Sequence, residues 1–247
     1  MIRDPGLDAK AWGPQKGRRT DAGSFASMHP IERLRAVARA SWAPPDVLGS
    51  EAAWALADLA LDEPAALVPA CRRLLAVHPG CGPLWWVAAR VLSASDPVEE
   101  AERCAGAIDG DPTPDLVEEA TSGKRAVKRG GVGEVASADI VVVRVDAMGP
   151  EGMLVDGDLD GLLEAAHVVE VPVWVEAGVG RVLPPKVWDA LVRRLDTADL
   201  RLQQQEHSPP RTLAGVEKVV GPKGAATIQA TFDELDCPEP AALLGTW

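Results

Sequence analysis

The hydrophobic period of this chain changes once along its length, and that change constrains the fold more than any other feature. From His29 to about Gly110, apolar residues recur at intervals of three and four, the period of a helix buried on one face. Beyond that point they gather in short β-branched runs, "ADIVVVRV" and "VVEVPVWVEA", bounded by Gly and Pro. Such runs suit strands buried on both faces, as in a parallel sheet. Between them "LDGLLEAAHVV" returns to the helical period. After the second run, "GVGRVLPPKVWDALVRRL" places a glycine loop before a helix opened by Pro184-Pro185. Strands alternating with helices predict a parallel, Rossmann-like sheet. Two last segments, "VEKVVGPKGAATIQ" and "FDELDCPEPAALL", predict a further strand and a closing helix.

The first part reads as five helices. "HPIERLRAVARASWA" places Ile31, Leu34, Val37 and Ala38 on one face. "SEAAWALADLALD" offers Ser50 as an N-cap, and the next helix stops at His78-Pro79-Gly80. Pro83 sits in the first turn of "GPLWWVAARVLSAS", while Asp96 caps a helix begun by Pro97. The boundary falls near Gly110 to Pro114, in "DGDPTPD". The division predicted is a flexible Gly-rich and charged arm over 1–28, a helical domain over 29–110 and a Rossmann-like α/β domain over 111–247.

Composition excludes several functions. With 47% hydrophobic residues the chain can bury a core without metal or disulfide staples. A formal net charge of -12 argues against general nucleic-acid binding, which needs local positive charge. Cys71, Cys81, Cys104 and Cys237 form no C-x-x-C pair, which fits a reducing cytoplasm better than a disulfide framework or a zinc site. His29, His78, His167 and His207 form no H-x-x-x-H pair, so neither metal nor cofactor is expected. No apolar run approaches the roughly 18–20 residues of a membrane span, and the first residues lack the apolar centre of a signal peptide. Abundant Ala, Gly and Pro suit a GC-rich bacterial gene.

Three segments carry candidate chemistry. Asp146 ends the first strand just before the Gly149-Pro150-Glu151-Gly152 turn, where α/β sheets place ligands. A carboxylate there serves either as an acid/base or as a cap of the following turn. Strand alternation puts Arg144 on its side, close enough to neutralise it. Gly178, Gly180 and Arg181, in "EAGVGRVLPP", form either a phosphate cradle before a helix or an ordinary glycine loop. The basic cluster Lys124, Arg125, Lys128 and Arg129 lacks a P-loop pattern and is read as a solvated amphipathic helix. Cys81 has no cation beside it in sequence and reads as structural. Trp85 and Trp86 read as core or interface anchors.

Taken in order, these segments resemble one superfamily. It comprises the regulatory subunits of translation initiation factor 2B, methylthioribose-1-phosphate isomerase and ribose-1,5-bisphosphate isomerase. The resemblance rests on the Trp-rich helix in "HPGCGPLWWVAARVL", on "ADIVVVRVDAMGPEG" before an Ala-rich helix, and on the tail "ATFDELDCPEPAALL", which is similar to a Phe-Asp-x-x-x-Pro segment. It is collinear over His29 to Leu244 and strongest across 138–177. It implies that Asp146 stands at the isomerases' acid/base position, with Arg144-Val145 replacing Gly-Ala. It further implies that Asp156 stands at the Asn of an Asn-Lys signature, with Gly157 in place of the Lys. Arg and Thr of an Arg-Pro-Thr motif are absent, no cysteine takes the thiol's role, and the first half of the sheet with its phosphate loops is missing or very short. The fold implied is α/β: an N-terminal helical bundle followed by a reduced Rossmann-like parallel sheet with flanking helices. The function implied is a non-catalytic regulatory, scaffold or small-molecule-binding protein, homodimeric through its C-terminal domain, with a phosphorylated small molecule as possible partner. An active sugar-phosphate isomerase using Asp146 is the alternative, and translation regulation through an initiation-factor surface is a third reading.

Overall fold

The computed structural model describes residues 29–40, 42–128, 132–155, 159–199, 209–245 and 247. The arm predicted for 1–28, together with Arg129 and Asp156, lies outside them. The five predicted helices are present: α1 (Pro30–Arg39), α2 (Pro45–Asp62), α3 (Leu67–Val77), α4 (Gly82–Ser93) and α5 (Pro97–Asp109). Asp96 caps α5 as expected, accepting from the amides of Val98 and Glu99. Ser50 does not cap α2. Pro45, whose fixed φ suits a first helical position, starts that helix five residues earlier. Ser50 is instead buried within it and donates to Asp109 Oδ1 at 2.6 Å. Half of the buried residues of α2 are alanine (Ala52, Ala53, Ala55, Ala57, Ala60), which lets α5 approach closely with its own Ala101 and Ala105.

After α6 (Thr113–Ala120) comes the sheet: β1 (Ala126–Val127), a one-turn helix α7 (Val132–Val135), β2 (Ile140–Gly149), β3 (Gly152–Val155), α8 (Asp160–Val168), β4 (Val173–Glu176), α9 (Pro185–Asp199), β5 (Val216–Gly221) and β6 (Gly224–Ala226). Strand order is β1-β2-β4-β5-β6, with β3 hairpinned onto β2. β1, β2, β4 and β5 are mutually parallel, while β3 and β6 run antiparallel to their neighbours. The sheet is therefore mixed rather than purely parallel. Both antiparallel strands return through tight turns, Pro150-Glu151 and Pro222-Lys223, too short for a crossover. The segment read as one strand, 216–226, is split by the second of these turns.

Side chains of β2 alternate between two cores. Val141, Val143 and Val145 join α8 on one face, and Ile140 and Val142 join Val117 of α6 on the other. The sequence at Lys124 and Arg125 does not continue as a helix. Gly123 takes φ +78°, a left-handed conformation that ends helices, and the two residues form the turn into β1. Lys124 and Lys218 then lie over the Trp174 ring at 5.8 and 4.8 Å.

α9 lies between the end of the β2–β3 hairpin and the bundle. Its Val187, Trp188, Leu191 and Leu195 belong to the same apolar cluster as α1–α5. Gly149, at the end of β2, lies flat against Trp188: a Cβ there would overlap the indole. The closing helix is interrupted as well. α10 (Ile228–Asp233) is followed by an extended stretch holding Pro238 and Pro240, and only Ala241–Leu244 forms α11. That tail is tied to the bundle: Arg72 donates twice to Ala242 O (3.0 and 2.9 Å), and Arg194 donates to Trp247 O at 2.8 Å. The Trp247 ring lies between the same two guanidiniums, 5.6 and 3.3 Å from its centroid.

Candidate functional site

The carboxyl end of β2 meets the bundle at Asp146. The β2–β3 register slips between Val145 and Ala147, so Asp146 is a bulged residue. A bulge bends its strand and re-aims the side chain. The first turn of α4 abuts this bulge, since a Cβ on Gly82 would sit 2.6 Å from Asp146 O. The first turn of α2 brings Asp46, and the loop after β4 brings Arg181. None of these elements is near another in sequence.

Arg181 is the centre of the cluster. Its side chain is 2% exposed, its Nη1 donates to Val145 O at 2.6 Å and lies 3.6 Å from Asp146 Oδ1, and its Nη2 lies 3.8 Å from Asp46 Oδ1. At that last distance no hydrogen bond forms, and both atoms are buried without another hydrogen-bond partner. Burial pushes the Arg181 guanidinium below its ordinary value, Arg144 adds to this, and Asp146 and Asp46 oppose it. Arg144 is paired with Asp46 at 3.3 Å and with Glu176 at 3.7 Å. The cluster therefore holds three carboxylates and two engaged guanidiniums.

The glycine loop is occupied from within the chain. Asp111 Oδ1 caps α6 through the amide and hydroxyl of Thr113, at 2.9 and 2.5 Å, and Oδ2 accepts from Val179 N at 2.9 Å. Gly178 is required here because a Cβ would overlap that carboxylate. Gly180 adopts φ +75° and packs on Trp86. The amide of Val179, in the loop read as a phosphate cradle, thus already meets an anion supplied by the segment between α5 and α6. Arg181 belongs to the Asp146 cluster.

Sequence reasoning missed Asp46, Asp111, Glu176 and the proximity of Cys81. Asp46 and Asp111 carried a usable signal, since both open helices beside prolines in the pattern of capping carboxylates. Cys81 is buried with its Sγ 3.6 Å from Pro45 O. Burial pushes its thiol up to about 12, with Arg181 working against this and Asp146 and Asp46 with it. Burial likewise raises Cys71 and Cys237 to about 12 and Cys104 to about 11.

These thiols make a prediction. Native protein at pH 8 should react with a thiol-specific dye at well under one fast equivalent, and all four cysteines should react once it is unfolded. The folded values lie above the unfolded value of 9.0, so the native state holds more protons above that pH. Their contribution to stability is complete below pH 9 and lost as pH rises through the folded values. A fast-reacting native thiol would contradict the assignment.

No family model matches the sequence, and no curated protein does. Solved structures do match. eIF2B beta from Chaetomium thermophilum is 12% identical, with a TM-score of 0.60 over 80% of this chain and 86% of that one. A chain of the tetrameric eIF2B-beta2-delta2 complex from C. thermophilum is 12% identical, with a TM-score of 0.61 over 83% and 92%. The chain has an eIF2B-like fold. The translation initiation factor eIF-2B of Pyrococcus horikoshii OT3 agrees, at 13% identity and a TM-score of 0.55 over 82% of this chain and 98% of that one.

Within this fold, the described parallel strands follow chain order, β1-β2-β4-β5. Doubly wound sheets open a ligand crevice where strand order reverses, and these strands contain no such reversal. Among the described residues no group of His, Cys, Asp and Glu could hold a metal ion, and no described helix is long and apolar enough to cross a membrane.

Proposed function

We propose that this eIF2B-like protein is non-catalytic and acts as a homodimeric regulatory or scaffold subunit in the cytoplasm. The observation that carries the reading is the pairing of Asp146 with the buried Arg181. Aldose–ketose isomerisation moves a proton between adjacent carbons and needs groups able to take and return it. Here the carboxylate at the isomerase-like position faces a fixed guanidinium, and the nearby thiol of Cys81 is held protonated by burial. Asp46, Asp146 and Glu176 outnumber Arg144 and Arg181, which disfavours a phosphorylated ligand in the cluster. Asp111 competes for the Val179 amide as well.

Sugar-phosphate binding or isomerisation, with Asp146 as acid/base and Arg144, Asp156, Gly178, Gly180 and Arg181 around the ligand, is the second reading. What favours it is the position of Asp146, at a bulge in the carboxyl-terminal half of β2. Incubation with ribose 1,5-bisphosphate or methylthioribose 1-phosphate, followed by phosphorus NMR, separates the two. We expect no conversion above the blank, by wild type or Asp146→Asn. Turnover that Asp146→Asn abolishes would establish the isomerase instead. Dimerisation is tested by light scattering at micromolar concentration, with twice the 26.0 kDa chain mass expected and the chain mass itself refuting it.

A further inference from the structure

A cavity of about 240 Å³ lies beyond the carboxyl ends of β4 and β5, beside the glycine loop. Ala177 and the 178–180 loop line one side, Trp86 and Leu235 another, and the β5–β6 hairpin with Ala230 of α10 completes it. It lies where the helical bundle, the sheet and the C-terminal segment meet, and each contributes wall. An apolar cavity of about 150 Å³ is enough to take up benzene, so this one has room for a bicyclic ring. Its mostly apolar wall suits a small molecule.

The charged groups at its rim decide what kind. Lys223 Nζ is paired with Glu234 Oε2 at 3.0 Å. The Asp236 carboxylate accepts from Trp86 Nε1 at 3.1 Å and pairs with Arg90 Nη1 at 2.6 Å. The hydroxyl of Thr231 donates to Thr227 O at 2.9 Å and keeps its acceptor side. The lining therefore holds one cation and two anions: Lys223 is paired with Glu234, and Asp236 with Arg90, which lies outside the lining and also pairs with Glu100. An anionic ligand would meet this net negative lining, and a cationic one would compete for carboxylates that already have partners, whereas an uncharged ring would only displace water from apolar wall.

We infer that this cavity is a binding site for a small, uncharged, ring-containing molecule, separate from the Asp146 cluster. The test is titration of the ¹⁵N-labelled full chain with indole, followed through backbone amide shifts. Saturable shifts are expected at Gly178, Gly180, Gly221 and Gly224. Ribose 5-phosphate at the same concentrations should leave those four unmoved. Ala107 lies on the exposed face of α5 at the mouth, so Ala107→Trp keeps the bundle core intact. It should weaken indole binding at least ten-fold. Ala230→Leu should do the same from the opposite wall, which covers the case in which one variant misfolds. Lys223→Gln, by contrast, should leave the affinity for indole within about two-fold, because a neutral ligand does not use the ammonium. No saturable shift up to the solubility of indole, equal binding by folded Ala107→Trp, or loss of binding in Lys223→Gln would each overturn the inference. So would a response of these glycines to ribose 5-phosphate that exceeds their response to indole.

Discussion

Replacing Trp85 with alanine is expected to cost about 4 kcal/mol of stability, within the range of about 3–5 kcal/mol seen when a large buried aromatic is truncated. Trp85 is completely buried at the centre of the helical cluster. Its Nε1 also donates to Pro79 O at 2.8 Å, tying the turn before α4 to that helix. Removing the indole opens a cavity that the surrounding helices cannot close and leaves a buried carbonyl without its donor. Trp85→Phe separates the two effects, since the ring fills most of the space while the carbonyl stays unpaired. It should cost about 1–3 kcal/mol, the range for a buried group left unsatisfied. Urea denaturation measures both. A loss below about 2 kcal/mol for Trp85→Ala would mean that the bundle collapses around the gap.

Arg181→Met should cost about 3 kcal/mol, the lower end of the range for removing one partner of a buried ion pair. The lower end applies because the carboxylates left behind, Asp46 and Asp146, have side chains 42% and 40% exposed and water can reach them. The variant also strands Val145 O, which loses its bond to Nη1. Adding Asp46→Asn and Asp146→Asn removes both carboxylates that faced Arg181, while Arg144, which loses Asp46, keeps Glu176, and should recover about 1–2 kcal/mol, since a buried ionic group replaced as a whole is often close to neutral. That recovery distinguishes a charge cluster from simple loss of packing, because packing alone is indifferent to the two carboxylates. Additive losses in the combined variant would show that Arg181 serves only as filler.

Legibility followed the range of the interactions involved. The helices of the bundle, the strands at 140–149 and 173–176 and the helices at 160–168 and 185–199 were readable because each is set by local period and by Pro or Gly at its ends. Ser50 misled because an apolar run with a serine before it looks like a helix start, while two prolines farther upstream already began the helix. The basic stretch misled because one glycine at positive φ outweighs the charge pattern around it. Asp146 was found from its place at a strand end. Its partners were not, since Asp46 and Arg181 lie 100 and 35 residues away and meet it only when α2 and the β4–α9 loop close over β2.

By itself, the sequence determined the class of the fold. A change of hydrophobic period dictates helices first and strands later, because burial selects a face of each element whatever its neighbours are. It also marked Trp85 as a core or interface anchor and singled out Asp146, although the strand expected to end there runs on through a bulge to Gly149. Tertiary structure alone decided the electrostatics of the site, because charges interact through space and burial sets their strength. Only the closed structure places a buried guanidinium against Asp146, puts Asp111 on the glycine loop and forms a mostly apolar cavity beside that loop.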